Sequence, residues 1–335
     1  MRRYTTLDGL RGTAAIAVVL FHAGAIAPLA MPGGYLAVDL FFVLSGFVIA
    51  KAYLGTLSAG KLGDFLRRRL VRLYPMYLAG CLLGIAATLV LAYSRGEAVS
   101  IGAVVFALLL LPWPNSGYLF PVLNPAWSLF FEAIVNLTLA LTRSLYGRAF
   151  LACAVLVTGT VLMGLAIRDG QLAQGAYWWN AGGGLARAAF SFSAGIALSA
   201  LNERERVFSS WLAYALPLVL FVLLMLAPKD RMIIDITCVF VIFPAMIWLG
   251  VRVEAPQVWP MSVVGDASYP LYCIHSPVLI LGLAAARRLP EYSMAIGSLL
   301  VIGLFGTAYF LARFVDRPVQ RLASLLLHNP KRSTV

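Results

Sequence analysis

Residues 34–56 read GYLAVDLFFVLSGFVIAKAYLGT, and this stretch decides the class of fold. It is apolar along its length, interrupted by the charged side chains Asp39 and Lys51. A helix of about 20 apolar residues is long enough to cross the hydrocarbon core of a bilayer, because each residue adds about 1.5 Å. The stretch therefore predicts a membrane-spanning helix.

Similar apolar stretches recur along the whole chain. Hydrophobic residues make up 61% of the 335 residues and charged residues 12%, which is about half the charged fraction of a typical soluble domain. This composition excludes a soluble globular protein. We predict ten spanning helices, at 10–30, 34–56, 73–93, 125–142, 148–167, 183–201, 210–227, 231–250, 264–286 and 293–314.

The basic residues predict how these helices are oriented. The formal net charge of +12 comes mostly from arginines at segment ends, which in a membrane protein indicates topology and not a nucleic-acid partner. The positive-inside rule places both termini in the cytoplasm, provided that the short apolar run 99–111 is re-entrant or interfacial. Arg287 and Arg288 then fall outside, against the rule, but the other clusters outweigh them. Those clusters are Arg2 and Arg3, Lys61, Arg67–Arg69 and Arg72, Arg143 and Arg148, Arg204 and Arg206, and Arg317, Arg321, Lys331 and Arg332.

The chain is thus expected to be all-α, a polytopic bundle forming one domain over residues 1–335. The helical bundle is predicted to fill residues 1–322 and a polar tail residues 323–335, where His328 is solvated. The four cysteines form no C-x-x-C pair, so they indicate small core residues and neither a disulfide framework nor a metal site. They are Cys81, Cys153, Cys238 and Cys273.

Ionisable side chains inside spanning helices are costly and therefore mark functional candidates. Counting along the predicted helices puts His22, Asp39 and Glu132 at mid-membrane depth or in the outer half. A histidine can take a proton from a hydroxyl near neutral pH, and a carboxylate can fix its tautomer. Asp39 or Glu132 could be that carboxylate; the alternative for each residue is a structural hydrogen bond between helices. The remaining candidates are Arg11, Arg187, Asp235 and His275. Of these, Asp235 is expected near the membrane interface.

A basic cluster precedes the third predicted helix. Arg69 and Arg72 are three residues apart and lie on one helical face, so their guanidinium groups can bind a phosphate or pyrophosphate. The same arginines can equally serve as a topological anchor at the cytoplasmic surface. Both interpretations remain open from the residues alone.

Taken together, these motifs resemble the acyltransferase 3 family of integral-membrane acyltransferases. The similarity covers nearly the whole chain, with Asp316 standing where many members carry Glu. The matching segments are Leu7–Gly12 with Arg11 ahead of Phe21-His22; Asp39–Phe47 with Ser45 and Gly46; Arg69-x-x-Arg72-Leu-Tyr-Pro75; Asn124-Pro125-Ala-Trp127-Ser128-Leu-x-x-Glu132; Ser268-Tyr269 to His275; and Arg317-Pro318.

The resemblance implies an enzyme of a bacterial cytoplasmic membrane that moves an acyl group, most often acetyl, from cytoplasmic acyl-CoA to a hydroxyl. The acceptor would be a sugar, a surface polysaccharide or a glycolipid. It implies His22, Asp39, Glu132 and Arg11 as catalytic residues, without a metal, with His22 either the general base on the acceptor hydroxyl or a transient acceptor of the acetyl group. Donor binding is assigned to Arg69, Arg72 and Arg11, and substrate positioning to Trp127, Ser128, Ser45, Tyr269 and His275.

Three alternatives to this enzyme remain open at this stage. Intramembrane carboxylates and histidines also mark proton-coupled transporters, although the halves of this chain show no internal repeat. A non-catalytic exporter or sensor would keep the fold without the chemistry. A small molecule such as a macrolide could replace the glycan as acceptor.

Overall fold

The computed structural model describes residues 4–55, 62–145, 147–201, 209–226, 231–253 and 259–327. The described part of the chain is 84% helical and contains no β-strand, which confirms the predicted all-α class. Several charges used for the topology lie outside the described residues, namely Arg2, Arg3, Lys61, Arg204, Arg206, Lys331 and Arg332, as does His328.

Thirteen α-helices follow one another along the described chain. Short π-helical segments join α9 to α10 (Cys238–Ile242) and α12 to α13 (Ala312–Asp316). The helices are α1 Thr5–Ala23, α2 Ala37–Tyr53, α3 Leu62–Arg95, α4 Ile101–Leu108, α5 Ala126–Leu141, α6 Arg148–Asp169, α7 Ala181–Leu201, α8 Leu212–Met225, α9 Arg231–Thr237, α10 Phe243–Arg252, α11 Trp259–Arg288, α12 Ser293–Leu311 and α13 Arg317–Leu327.

Each of the ten predicted spans falls on a helix. Seven helices in the described part are long and apolar enough to cross a membrane, and two more, α5 and α8, are apolar but shorter. The protein is therefore an integral membrane protein, while the number ten stays a prediction. Helix α4 has eight residues and is about 12 Å long, too short to cross the bilayer alone.

Several predicted boundaries were wrong. Helix α1 begins at Thr5 and not at residue 10, and it ends at Ala23 because Gly24 turns the chain with φ +54°. Helix α3 begins eleven residues before the predicted residue 73, so the arginine cluster lies within it. Helix α13 continues to Leu327, and the rest of the predicted polar tail, residues 328–335, lies outside the described residues.

Helices α1 and α11 form the centre of the bundle and run in the same direction. Gly12 lies against Val264, and further along both helices His22 lies beside His275. A Cβ atom at Gly12 would meet the Val264 side chain at 2.5 Å, so only glycine permits this approach. Close packing of small residues is the common way to join helices in lipid.

Helices α2 and α7 meet through a reciprocal pair of glycines. A Cβ atom on Gly46 would overlap the carbonyl oxygen of Phe192, and one on Gly195 would overlap that of Val43. The two backbones therefore touch directly. This contact explains the position of Gly46, which follows Ser45 in the second-helix motif.

A buried ion pair also joins α2 to α7. Arg187 donates to both carboxylate oxygens of Asp39, at 2.6 Å and 3.2 Å, and the two side chains are 1% and 0% exposed. The guanidinium group further donates to the carbonyl oxygens of Gln174 and Tyr35, at 2.7 Å and 2.9 Å. The charges of Asp39 and Arg187 thus compensate each other inside the protein, away from lipid.

Asp235 lies in the same buried region, on α9. It is 1% exposed and accepts hydrogen bonds from the Tyr35 hydroxyl at 2.5 Å and the Leu172 amide at 2.7 Å. Of the cysteines, Cys81, Cys238 and Cys273 are buried as expected, whereas Cys153 is exposed on α6. The outward face of α6 is apolar, which suits a lipid-facing position.

The glycine contact predicts a specific loss of stability. Replacing Gly46 by Ala is expected to destabilise the protein by about 1–3 kcal/mol, because the new methyl group overlaps backbone that cannot move aside. Thermal unfolding of the purified protein in detergent measures the change. Gly303→Ala is the matched control, since a Cβ atom added there would meet no other part of the described structure within 4 Å beyond its own stretch of helix. Equal melting temperatures for the two variants would contradict the contact.

The buried ion pair predicts a larger loss. Arg187→Leu is expected to cost about 3–5 kcal/mol, because it leaves the Asp39 carboxylate buried without a counter-charge. The double variant Asp39→Leu with Arg187→Leu should recover much of that stability, since no lone charge remains. The same unfolding measurement tests both, and a double variant less stable than Arg187→Leu would refute the account.

Candidate active site

A cavity of about 610 Å³ opens where α1 begins and α2 ends. Helices α1, α2, α3, α5 and α11 contribute its walls. Four cationic side chains line it against two carboxylates, so its lining is net positive. We call this end of the molecule the basic end. The cations are Arg11, Lys51, Arg69 and Arg72, and the carboxylates are Asp8 and Glu132.

Glu132 is held in the cavity wall by two helices. Its Oε1 atom accepts a hydrogen bond from the Ser45 hydroxyl at 2.6 Å and from the Arg69 guanidinium group at 2.9 Å. The sequence places the three residues on α5, α2 and α3, so their meeting joins three of the five helices that build the cavity. Glu132 thereby neutralises Arg69 within the cavity wall.

Arg72 and Arg11 are each half-exposed in the cavity and each has a carboxylate partner. Arg72 donates to Asp316 at 3.0 Å and lies 5.7 Å from the centre of the Tyr269 ring. Arg11 donates to Asp8 at 3.1 Å and to the carbonyl oxygen of Gly265 at 3.0 Å. Their side chains are 38% and 36% exposed, so both can contact a ligand while keeping these bonds.

Two hydroxyl groups lie in the cavity wall on the side of the histidines. Ser128 and Tyr272 share a hydrogen bond of 2.6 Å, and the Tyr272 ring packs edge-on against Phe41 with ring centres 5.8 Å apart. The Tyr272 ring also lies 5.6 Å from the ring of His275. Tyr272 therefore contacts both the cavity and the histidines next to it.

His22 and His275 lie behind this layer. Their ring centres are 4.9 Å apart, and His275 is completely buried while His22 is partly exposed. Neither is among the residues found to line the cavity. The Nδ1 atom of His22 donates to the Val18 carbonyl oxygen at 2.9 Å, and that of His275 to the Tyr272 carbonyl oxygen at 2.7 Å.

The expected pairing of His22 with a carboxylate was wrong. Asp39 bonds to Arg187, and Glu132 bonds to Arg69 and Ser45. Matching depth along separate helices was insufficient, because an arginine lies closer to each carboxylate and offers a stronger, charge-assisted hydrogen bond. The structure instead brings His22 to His275.

Trp127 was predicted to position a substrate but lies in the buried network behind the site. Its ring packs 5.5 Å from the Arg187 guanidinium group and closes against Gly175, which adopts φ +126°. Arg187 itself had no assigned role in the sequence. Ser45, Ser128 and Tyr269, by contrast, line the cavity.

Several residues of the cavity wall had no assigned role in the sequence, among them Lys51 and Tyr4. A signal existed for Lys51, because Ser45, Val48 and Lys51 recur every three residues and share a face of α2. No group of three His, Cys, Asp or Glu side chains capable of holding a metal ion occurs among the residues that the structure covers. The arrangement offers instead a cationic, partly apolar chamber beside a pair of imidazoles.

Comparison with known proteins agrees with this arrangement. Residues 4–314 match a family described as an acyltransferase domain. Protein 2 in the picA locus of Rhizobium radiobacter is 42% identical over 153 residues, which is 40% of this chain and 79% of that protein. The putative membrane-bound transacylase BcsY of Komagataeibacter xylinus is 35% identical over 158 residues, covering 42% of this chain and 39% of BcsY.

A shorter match connects the chain to the O-acetyltransferase OatA of Staphylococcus aureus, 39% identical over 75 residues, or 22% of this chain and 12% of OatA. No solved structure matches. Since the family match spans nearly the whole bundle, including every residue of the cavity, the chain belongs to the acyltransferase 3 family of integral-membrane acyltransferases.

Proposed function

We propose that the protein moves an acetyl group from cytoplasmic acetyl-CoA to a hydroxyl of a sugar, cell-surface polysaccharide or glycolipid. The observation that carries this proposal is the placement of a cationic cavity at the basic end directly before a histidine pair. The basic end would face the cytoplasm of a bacterial inner membrane, as the positive-inside rule requires. The acceptor would approach from the opposite side.

The cavity has the chemistry that a CoA thioester needs. Arg72, Arg11 and Lys51 offer hydrogen-bond donors and positive charge for the phosphates at the open end. The apolar wall formed by Phe41 and Phe47 suits the less polar arm that carries the acyl group. In this arrangement, the thioester reaches the layer of Ser128 and Tyr272.

The proposed catalytic group is His22. Because its Nδ1 atom donates to the Val18 carbonyl oxygen, the neutral ring carries its hydrogen there and leaves Nε2 free as a base. Nε2 would take the proton of the acceptor hydroxyl while the oxygen bonds to the acyl carbon. The C–S bond then breaks, and the thiolate leaves with the electron pair and regains a proton.

The names of the relatives support acetyl as the acyl group. OatA is named an O-acetyltransferase and BcsY a putative transacylase, and both are matched over a minor part of their length. The family match makes the chain an acyltransferase, which favours this proposal over the transporter and the non-catalytic exporter. A small-molecule acceptor such as a macrolide is distinguished by the assay below.

Replacing His22 by Ala is expected to lower acetyl transfer by roughly a hundredfold to ten-thousandfold, the usual contribution of a general base. Membranes containing each variant are supplied with acetyl-CoA and extracted glycan, glycolipid or macrolide, and the acetylated product is quantified by mass spectrometry. Ser191→Ala is the control, since Ser191 is a buried polar residue of α7 that does not line the cavity. Wild-type product from His22→Ala would remove the catalytic assignment.

Replacing Arg72 by Ala is expected to weaken acetyl-CoA binding about tenfold or more, the effect of losing one charge-assisted hydrogen bond. Calorimetry in detergent measures the dissociation constant. Arg168→Ala removes the same charge at an exposed position outside the cavity and should leave binding unchanged. Arg69→Ala should weaken binding too, because it also frees Glu132. If both cavity variants bind normally, these arginines are topological anchors.

A further inference from the structure

The hydrogen bonds of the two histidines fix their protonation pattern. Nδ1 of His22 lies 2.9 Å from the carbonyl oxygen of Val18, and Nδ1 of His275 lies 2.7 Å from that of Tyr272. A carbonyl oxygen can only accept, so each Nδ1 carries the hydrogen. In the neutral pair, both Nε2 atoms are therefore lone-pair acceptors.

One of these lone pairs has no donor. Nε2 of His275 is buried and has no hydrogen-bond partner among the residues that the structure describes, and the whole residue is 0% exposed. Buried polar atoms are nearly always paired, so an unpaired one calls for a functional explanation. The adjacent ring, that of His22, is the one proposed to gain a proton during transfer.

The nearby carboxylates do not accept a hydrogen bond from His22. Asp39 makes its bonds to Arg187, and Glu132 makes its bonds to Arg69 and Ser45. An imidazolium ion in a membrane interior requires an acceptor, because no bulk water stabilises its charge. The ring centres of His22 and His275 are 4.9 Å apart, so the His275 imidazole is the ring next to His22 that can act as this acceptor.

We propose that His275 is a positioning residue whose Nε2 atom accepts a hydrogen bond from His22 after His22 has taken the proton of the acceptor hydroxyl. This inference rests on the proposed function, with His22 as the base. His275 thereby takes the role that a carboxylate has in other histidine-based sites. The proton is held between the two Nε2 atoms until it passes to the sulfur of the departing thiolate, so no further acid or base is needed.

Two conservative substitutions separate this role from a structural one. His275→Gln places an amide oxygen where Nε2 was and gives up the bond to the Tyr272 carbonyl oxygen. His275→Asn places an amide donor where Nδ1 was and keeps that bond while removing the second acceptor. Acetyl transfer is measured for both in membranes, beside His22→Ala and the control Ser191→Ala. Thermal unfolding in detergent shows that each variant is folded.

The expected result is that His275→Gln retains about a tenth of the activity while His275→Asn falls about a hundredfold, with acetyl-CoA affinity unchanged in both. Equal or higher activity in His275→Asn would show that the Tyr272 bond matters and would overturn the proposal. Loss in both variants to the level of His22→Ala would overturn it as well. Wild-type product from His22→Ala would overturn the proposed function itself. The order of activity of His275→Gln and His275→Asn tests the role of His275 alone.

Discussion

The ion pair between Asp39 and Arg187 is the interaction on which the rest of the structure depends. Neither charge could lie inside a bilayer protein alone, so each requires the other, and the pair fixes how α2 meets α7. The reciprocal glycines Gly46 and Gly195 permit the backbone contact that brings the charges together. With α2 held in this register, Ser45 reaches Glu132 from the opposite wall of the cavity.

The same rule of compensation organises the basic end. Each arginine that lines the cavity has a carboxylate partner: Asp8 for Arg11, Glu132 for Arg69 and Asp316 for Arg72. These pairs orient the guanidinium groups in advance, which limits the side-chain entropy lost when an anionic ligand binds. Because these carboxylates are already paired with arginines, the two histidines bond to backbone carbonyl oxygens and pack against each other.

Under the proposed function, the acyl transfer is divided between two neighbouring regions, the cavity and the histidine pair. A donor with several phosphates suits the cationic side, while the hydroxyl acceptor needs a base that is neutral beforehand. Tyr272 belongs to both regions, because it lines the cavity and its carbonyl oxygen orients His275.

The sequence by itself determined the fold class, the helical segments and the family. Apolar length and charged helix ends are local properties, and the motifs around Arg11, His22, Arg72 and Glu132 have specific spacings. Only the tertiary structure decided which side chains bond to or pack against each other. Distances between side chains on different helices depend on helix rotation and crossing, which depth counting cannot supply. Asp39 therefore bonds to Arg187, and the ring of His22 packs beside that of His275, because helix packing decides which groups are neighbours.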